Sequence, residues 1–422
     1  MKKIQNQQMS KLFDHSATAS SYIAKNSLIR DLNSERSELL KRARSLQPPV
    51  MPQIDEKAVT HLRNSHPLRV FEPIAQLFIR KGFTTERSLA TSLSGVNSED
   101  YRKEVFLESK SRLQAFVAPR VDPAVFSKTM FLTLNSLFPS SDVPVFRPLS
   151  SGTEVVQAMN QNASSGYPEY VKKRSIATRI STFIDDFISG RETLVGKEHL
   201  FSIFNRIQPS DKGTFKLRLV FGPSWWLTAV ETLFGYLVTA HFRGVNDSSV
   251  FIGKRQVEIS ELIRSFKGYY VYSFDYRKFD QTLPSFWFLV ALRIIRSMLA
   301  LDDRYLREWT SIEEQLGGGP SYHPLTGVFS RKRGVPSGSY FTNLADSIAN
   351  LAVVWYSLIS TSQHREVFRI IVHGDDLLLV TNKPLKINEF VKVVGSFGLE
   401  LVYDEAGSSV KGVDKAAFLG SL

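Results

Sequence analysis

The chain has no cysteine, so disulfides, thiolate-held zinc and iron–sulfur centres are excluded from any function it performs. It also lacks a long apolar run. No apolar stretch follows the lysines of MKKIQNQQMSKLFDHS, and no signal peptide is expected there. The most apolar segments are Ser285–Leu301, interrupted by Arg293 and Arg296, and Ile348–Ile359. The second is well short of the roughly 20 residues a bilayer span needs. Both read as buried core helices, and no membrane span is expected. There is no internal repeat and no low-complexity tract. Two triplets of glycosylation type, Asn162-Ala163-Ser164 and Asn246-Asp247-Ser248, stand without a secretory signal and read as chance.

What is present is ordinary globular material: 422 residues, 43% hydrophobic and 22% charged, enough for a large core in two or three domain-sized units or one large assembly. Lysine and arginine outnumber aspartate and glutamate by 53 to 41, a formal net charge of +12. Such an excess fits a polyanion partner, whose counterions it would release, and equally a plain basic surface.

Residues 1–47 are polar and basic, with helical spacing over Asn33–Leu46 that Pro48, Pro49 and Pro52 end. Residues 53–200 are mostly helical in pattern. From about Thr214 the chain alternates strand, turn and helix. Phe215–Phe221 reads as a strand with Lys216 and Arg218 on one face and Phe215, Leu217, Leu219 and Phe221 on the other. Tyr269–Phe274 is a second strand, running into Asp275, with a helix expected from near Pro284. A helix over Asn343–Leu358 places Leu344, Ile348, Leu351, Trp355 and Leu358 on one face. Arg369–His373 and Leu377–Val380 are short strands around Gly374-Asp375-Asp376, a hairpin with two acids at its tip.

The strands of that hairpin are apolar enough to be buried on both faces. Its acids then sit at the mouth of a core, where carboxylates are costly unless they hold a cation. Magnesium takes hard oxygen ligands, few of them from protein. Asp275 and Asp280, five residues apart in FDYRKFD, can join them from the neighbouring strand. Such carboxylates suit a metal pair that activates a 3′-hydroxyl and steadies a leaving pyrophosphate. The plainer alternatives are a surface turn and an Asp275 that caps the following helix. Gly334–Ser339, ahead of Thr342, Asp346 and Asn350, is a loop before a helix N-terminus that can offer N–H groups to phosphate or ribose, or a loop whose Ser337 or Ser339 merely caps that helix. Arg331, Lys332 and Arg333 add positive charge beside it, and Lys216 with Arg218 suits a triphosphate.

In this order the segments resemble those of viral RNA-dependent RNA polymerases, in particular of the partitivirus and picobirnavirus kind, which have double-stranded RNA genomes. SSGYP (Ser164–Pro168) is similar to motif G, KLRLVFGP (Lys216–Pro223) to motif F, FDYRKFD to motif A, GVPSGSYFTNLADSIAN to motif B, HGDD to motif C and Phe418-Leu419-Gly420 to motif E. The resemblance implies an α+β right-hand fold, with an RRM-like palm and mostly helical fingers. Residues 1–52 would form a basic helical arm and 53–268 the fingers. Residues 269–422 would form the palm, with a fingers insertion around 302–330. It further implies that Asp275, Asp375 and Asp376 are the catalytic acids and ligands of two Mg2+ or Mn2+ ions. Lys216, Arg218, Asp280, Ser337, Gly338, Thr342 and Asp346 would bind the nucleotide, and Ser164, Ser165, Gly166, Tyr167 and Pro168 the template.

Three departures stand out. Asp346 replaces the family's usual asparagine near the ribose 2′-hydroxyl. The lysine expected after FGLELVYDE is out of place, with Lys411 or Lys415 as substitutes. The chain ends two residues after the motif E match, so the thumb is expected to be missing or truncated, supplied by a second chain or a C-terminal extension, with an apolar edge exposed near Phe418. Two readings follow: a catalytic polymerase core, and a non-catalytic or split subunit that binds RNA. A reverse transcriptase shares the palm but has an aromatic residue where His373 stands. Expected partners are RNA template and product, nucleoside triphosphates and capsid protein; the expected place is the host cytoplasm or the virion interior.

Overall fold

The computed structural model describes residues 21–46, 99–117, 119–139, 142–209, 215–324, 327–410 and Phe418. Pro48, Pro49, Pro52, Lys411, Lys415, Leu419 and Gly420 therefore lie outside the described residues. The chain opens with β1 (Ser21–Ile23), which pairs with β2 (Val143–Val145), and helix α1 (Lys25–Ser45). The helical stretch α2 (Glu99–Gln114), α3 (Pro123–Leu137), α4 (Gly152–Ala158) and α5 (Ala177–Ile188) follows. Asp122 accepts from the N–H groups of Ala124 and Val125 and so caps α3, with Pro123 in its first turn. The helix expected over Asn33–Leu46 starts eight residues earlier, at Lys25.

Strands β3 (Phe201–Pro209) and β4 (Phe215–Gly222) form a hairpin that leads into α6 (Trp225–Gly244) and α7 (Gln256–Ser265). Helix α6 is buried nearly all round, as apolar residues on every side of it, broken by few polar ones, lead one to expect. Next come β5 (Tyr270–Arg277), the short α8 (Phe279–Thr282), α9 (Ser285–Ser297) and α10 (Asp303–Gly318). Strands β6 (Pro320–His323) and β7 (Gly327–Ser330) then join the first hairpin, giving a sheet of order β4-β3-β6-β7. Residues 320–330 thus pair with residues 201–222, while α10 packs on α9. The chain returns through α11 (Thr342–Ser360), β8 (Val367–His373), β9 (Asp376–Thr381), α12 (Ile387–Gly395) and β10 (Glu400–Val410).

The central sheet has the order β10-β5-β9-β8, with every pair antiparallel. It is covered on both faces. Ile370, Val372, Leu377 and Leu379 point into the main core with α9 and α11, while Ile371, Leu378 and Val380 pack with Phe251, Ile259, Ile263 and Phe418 on the other side. Phe418 is therefore buried, not part of an exposed apolar edge. The most apolar segments become α9 and α11, both lodged in the core. Among the described residues no helix is long and apolar enough to cross a membrane.

Candidate active site

Five aspartates converge at one end of the central sheet. The register of β5 with β9 runs to Phe274 opposite Leu377, and one step further sets Asp275 beside Asp376. Asp275 lies within β5 and caps no helix. His373 pairs with Asp376 across a two-residue turn, in which Gly374 has φ +62°. Glycine takes that conformation at little cost, and it leaves Asp375 projecting from the tip. Asp280 arrives from α8, behind Lys278, whose φ of +56° turns the chain out of β5. Asp346 comes from the second turn of α11 and is buried.

The tip is held from behind. Ser347 Oγ accepts from the Gly374 N–H at 2.8 Å, and Asn350 Nδ2 donates to the Gly374 carbonyl at 3.0 Å. Asn350 Oδ1 in turn accepts from the Tyr276 hydroxyl at 3.1 Å. The wholly buried Asn350 thereby ties α11, β5 and the turn together. On the flank, His373 Nδ1 lies 2.6 Å from the Phe251 carbonyl, which can only accept, and Nε2 lies 3.1 Å from Asn343 Nδ2. An N–H on Nδ1 can donate to that carbonyl, and Nε2 lies within hydrogen-bond reach of the Asn343 amide.

The acids raise one another. Burial, then the Asp375 charge, pushes Asp280 up to about 6. Burial, then Asp375 and Asp275, pushes Asp376 up to about 7. Asp375 is shifted upward by desolvation and by Asp275. Asp346 is driven well above the usual carboxylate range by burial, Asp375 and Asp280. Arg218 opposes this at both Asp280 and Asp375.

Among the described residues no group of three or more acidic or histidine side chains is placed to hold a metal ion. The donor set nonetheless fits a hard divalent cation. Crowded carboxylates favour one, Asp346 Oδ1 is buried without a hydrogen-bond partner among the described residues, and magnesium uses one or two carboxylates and completes its shell with water and phosphate.

Of the basic residues, Arg218 is exposed on β4, between the buried Leu217 and Leu219, as the alternation predicts. Lys216 is on the same strand, but its side chain lies outside the described residues. Arg331 and Arg333 correct the expectation of a positive patch. Arg331 is fully buried, donates to the Gln315 and Leu316 carbonyls at the end of α10, and lies over the Phe201 and Phe221 rings. Arg333 is buried and donates to the Arg112 carbonyl at 2.6 Å. Both are structural, and only Lys332 of the three is exposed.

The Gly334–Ser339 loop is pinned at both ends. The Val335 N–H donates to the Asp280 carbonyl at 2.7 Å, and Ser337 Oγ accepts from the Phe221 N–H at 3.2 Å. Thr342 Oγ1 donates to the Pro336 carbonyl at 2.7 Å. Gly338 sits so close to β4 that a Cβ there would lie 2.2 Å from the Phe221 carbonyl oxygen, and a Cβ on Gly166 would lie 2.2 Å from that of Pro223. The Ser164–Pro168 turn and the Gly334–Ser339 loop therefore meet at Phe221–Pro223. In that turn Ser164 is exposed, Ser165 and Gly166 are buried, and Tyr167 and Pro168 are half-buried. The turn packs on Pro223 and not on the acid cluster.

Residues 241–420 match the family model described as viral RNA-dependent RNA polymerase. The match shows RNA-directed RNA polymerase activity, a nucleotidyl transfer. It takes in Asp275, Asp280, Asp346, Asp375 and Asp376, while the Ser164–Pro168 and Lys216–Pro223 segments of the polymerase lie upstream of it. No curated protein matches the chain.

Sequence reasoning passed over Arg206, Ser347, Tyr276 and Glu231. Arg206 is exposed on β3, directly opposite Arg218. Its signal was the alternation in FSIFNRIQP. Ser347 and Asn350 are one turn apart on a largely buried helix, polar positions that need a partner. Glu231 is the lone acid of α6.

Proposed function

We propose that this chain joins ribonucleotides to the 3′ end of an RNA strand under the direction of an RNA template, in a right-hand fold of the kind found in double-stranded RNA viruses. The observation that carries the proposal is the convergence of Asp275 with Asp375 and Asp376 at one end of a sheet buried on both faces. The order β10-β5-β9-β8, with helices between β5 and β8 and between β9 and β10, supports an RRM-like palm. The shared sheet of residues 201–222 and 320–330 supports fingers built mainly from 53–268 with an insertion at 302–330; the arm at 1–52 rests on the resemblance, and its helix α1 packs on α3 and α9.

In this reading Asp275 and Asp375, with Asp376 beside them, hold two Mg2+ or Mn2+ ions. When bound, such ions lower the pKa of a 3′-hydroxyl and neutralise charge on the leaving pyrophosphate. Arg218, with Lys216 two residues before it on the same strand, binds the triphosphate as a charge-assisted donor. Asp280 and Asp346 face the ribose 2′-hydroxyl. Burial, then the Asp375 and Asp280 charges, favours the protonated form of the Asp346 carboxyl, which would offer a donor to that hydroxyl beside the Asp280 carboxylate as acceptor. Ser337, Gly338 and Thr342 shape the loop under nucleotide and template, and Ser164–Pro168 borders the template path.

The reading of a non-catalytic RNA-binding subunit has no use for the acid cluster. The test is incorporation of labelled ribonucleotides by the full chain on RNA templates of defined sequence with Mg2+ or Mn2+. Incorporation that follows the template base is expected. RNA retention without templated incorporation in either ion contradicts the proposal and leaves the RNA-binding subunit.

A further inference from the structure

Asn343, Asp346, Ser347 and Asn350 stand three and four residues apart on α11, so they share one face of that helix, the face turned toward the β8–β9 hairpin. Asp346 belongs to the acid cluster. Ser347 and Asn350 have no part in the chemistry above, yet both are completely buried. Their bonds go to the backbone of the turn that carries Asp375. Asn350 Nδ2 donates to the Gly374 carbonyl at 3.0 Å and reaches that of Asp375 at 3.4 Å. Ser347 Oγ accepts from the Gly374 N–H at 2.8 Å and donates its own proton to the Asn343 carbonyl at 2.7 Å. Both backbone polar groups of Gly374 are thereby satisfied from one helix.

The turn needs that restraint. Among the described residues nothing lies within 4 Å of a Cβ placed on Gly374, so the turn is unpacked on that side. Its glycine is the least restricted of residues, and the Asp275 charge beside Asp375 acts to push the tip away from β5. Neutral amide and hydroxyl groups hold the backbone without adding a cation that would compete for the acids. The restraint extends to β5. Tyr276 is buried, donates its hydroxyl to Asn350 Oδ1 at 3.1 Å, and sets its ring 4.8 Å from that of Phe279 at the start of α8. Asp275, its neighbour on the strand, is exposed on the opposite side, as the pleat requires. One buried amide therefore ties the backbone that bears Asp275 to the backbone that bears Asp375.

We infer that Asn350 is a positioning residue and that, with Ser347 and Tyr276, it fixes the spacing of the Asp275 and Asp375 carboxylates against their repulsion. The inference rests on the roles proposed for those two acids. Asn350, Ser347 and Tyr276 offer no atom to the substrate in that reading; they hold the chain that bears the acids.

Two measurements on the full chain test it. The first is hydrogen exchange of the peptide spanning residues 371–376 in the metal-free protein, which reads the turn without reference to catalysis. Tyr276→Phe removes one oxygen that touches neither the turn nor its N–H groups, and should nonetheless speed that exchange by about threefold or more. The second is single-nucleotide addition in Mg2+ and in Mn2+. Tyr276→Phe should lower kcat in Mg2+ on the order of tenfold, the worth of one hydrogen bond, with KM for the nucleotide within about twofold of wild type. The loss should be smaller in Mn2+, because Mg2+ demands near-ideal octahedral geometry; a mere loss of folded protein lowers both rates alike. Asn350→Ala removes both ties and should lower kcat further, and adding Tyr276→Phe to it should change little, since the hydroxyl has already lost its partner. If Asn350→Ala does not fold, Tyr276→Phe decides alone. Unchanged exchange or unchanged kcat in Tyr276→Phe overturns the inference, as do equal losses in the two ions or additive effects in the double variant. Asp375→Asn separates the two layers: full activity there removes the catalytic assignment, whereas its inactivity beside an unchanged Tyr276→Phe removes the positioning role alone.

Discussion

The two acids proposed to face the ribose carry the sharpest specificity claim. Asp280 and Asp346 are raised by burial and by the charges around them, and a site built to hydrogen-bond a hydroxyl rejects a substrate without one because its own polar groups go unpaired. Asp280→Ala should therefore narrow the preference for ribonucleotides over deoxyribonucleotides by about tenfold or more, measured as the ratio of kcat/KM values in single-nucleotide addition. An unchanged ratio places sugar choice elsewhere. Asp280 was legible in the sequence because it stood just after an apolar strand that runs into Asp275, whereas Asp346, on the helix behind the Gly334–Ser339 loop, was singled out by the motif resemblance. Arg331 and Arg333 were misread for the converse reason. A cluster of arginines looks like a surface patch until the carbonyls that need capping, here those of Gln315, Leu316 and Arg112, are in view.

Strand β4 shows what local pattern reveals and what it hides. Its alternation is plain from residue to residue, since Leu217, Leu219 and Phe221 are buried and Arg218 is not. Its neighbour β3 sets Arg206 opposite Arg218. Like charges at directly opposed positions cost stability, roughly 0.2–1 kcal/mol. Such a pair is tolerated where a polyanion sits over it. Arg206→Ala should accordingly leave thermal stability equal or slightly higher while raising KM for the nucleoside triphosphate; a loss of stability with unchanged KM would make the residue structural. Other elements were hidden by distance along the chain. The parallel pairing of β3 with β6 joins Phe201 to Ser321, and no local periodicity encodes it. Strand β5 also ran further than its aromatic stretch suggested: Asp275 and Arg277 are exposed, yet Tyr276 between them is buried and the backbone stays paired with β10. The hairpin, by contrast, was readable to within one or two residues at its strand ends, because glycine at its first turn position and apolar runs on both sides are local signals.

The molecule as a whole carries its acids at a cost that a cation should relieve. A carboxyl whose folded pKa exceeds its unfolded one binds more protons when folded. It therefore favours folding below the unfolded value of about 4, and that contribution is lost as pH rises through the folded value. For Asp280 the folded value is about 6 and for Asp376 about 7. A divalent cation binds the ionised forms and offsets the loss, so Mg2+ should raise the unfolding temperature at pH 8 and do so little at pH 5. Equal shifts at both pH values would mean that the ion binds elsewhere. The most direct measurement is primer extension on an RNA template by wild type, Asp275→Asn and Asp375→Asn, each first shown by circular dichroism and thermal unfolding to be folded. Both substitutions remove charge at the exposed tip of the sheet and leave its packing alone. Templated extension by wild type in Mg2+ or Mn2+, and its loss in both folded variants, is the predicted result; full extension by either folded variant would contradict the assignment of these acids to the transfer.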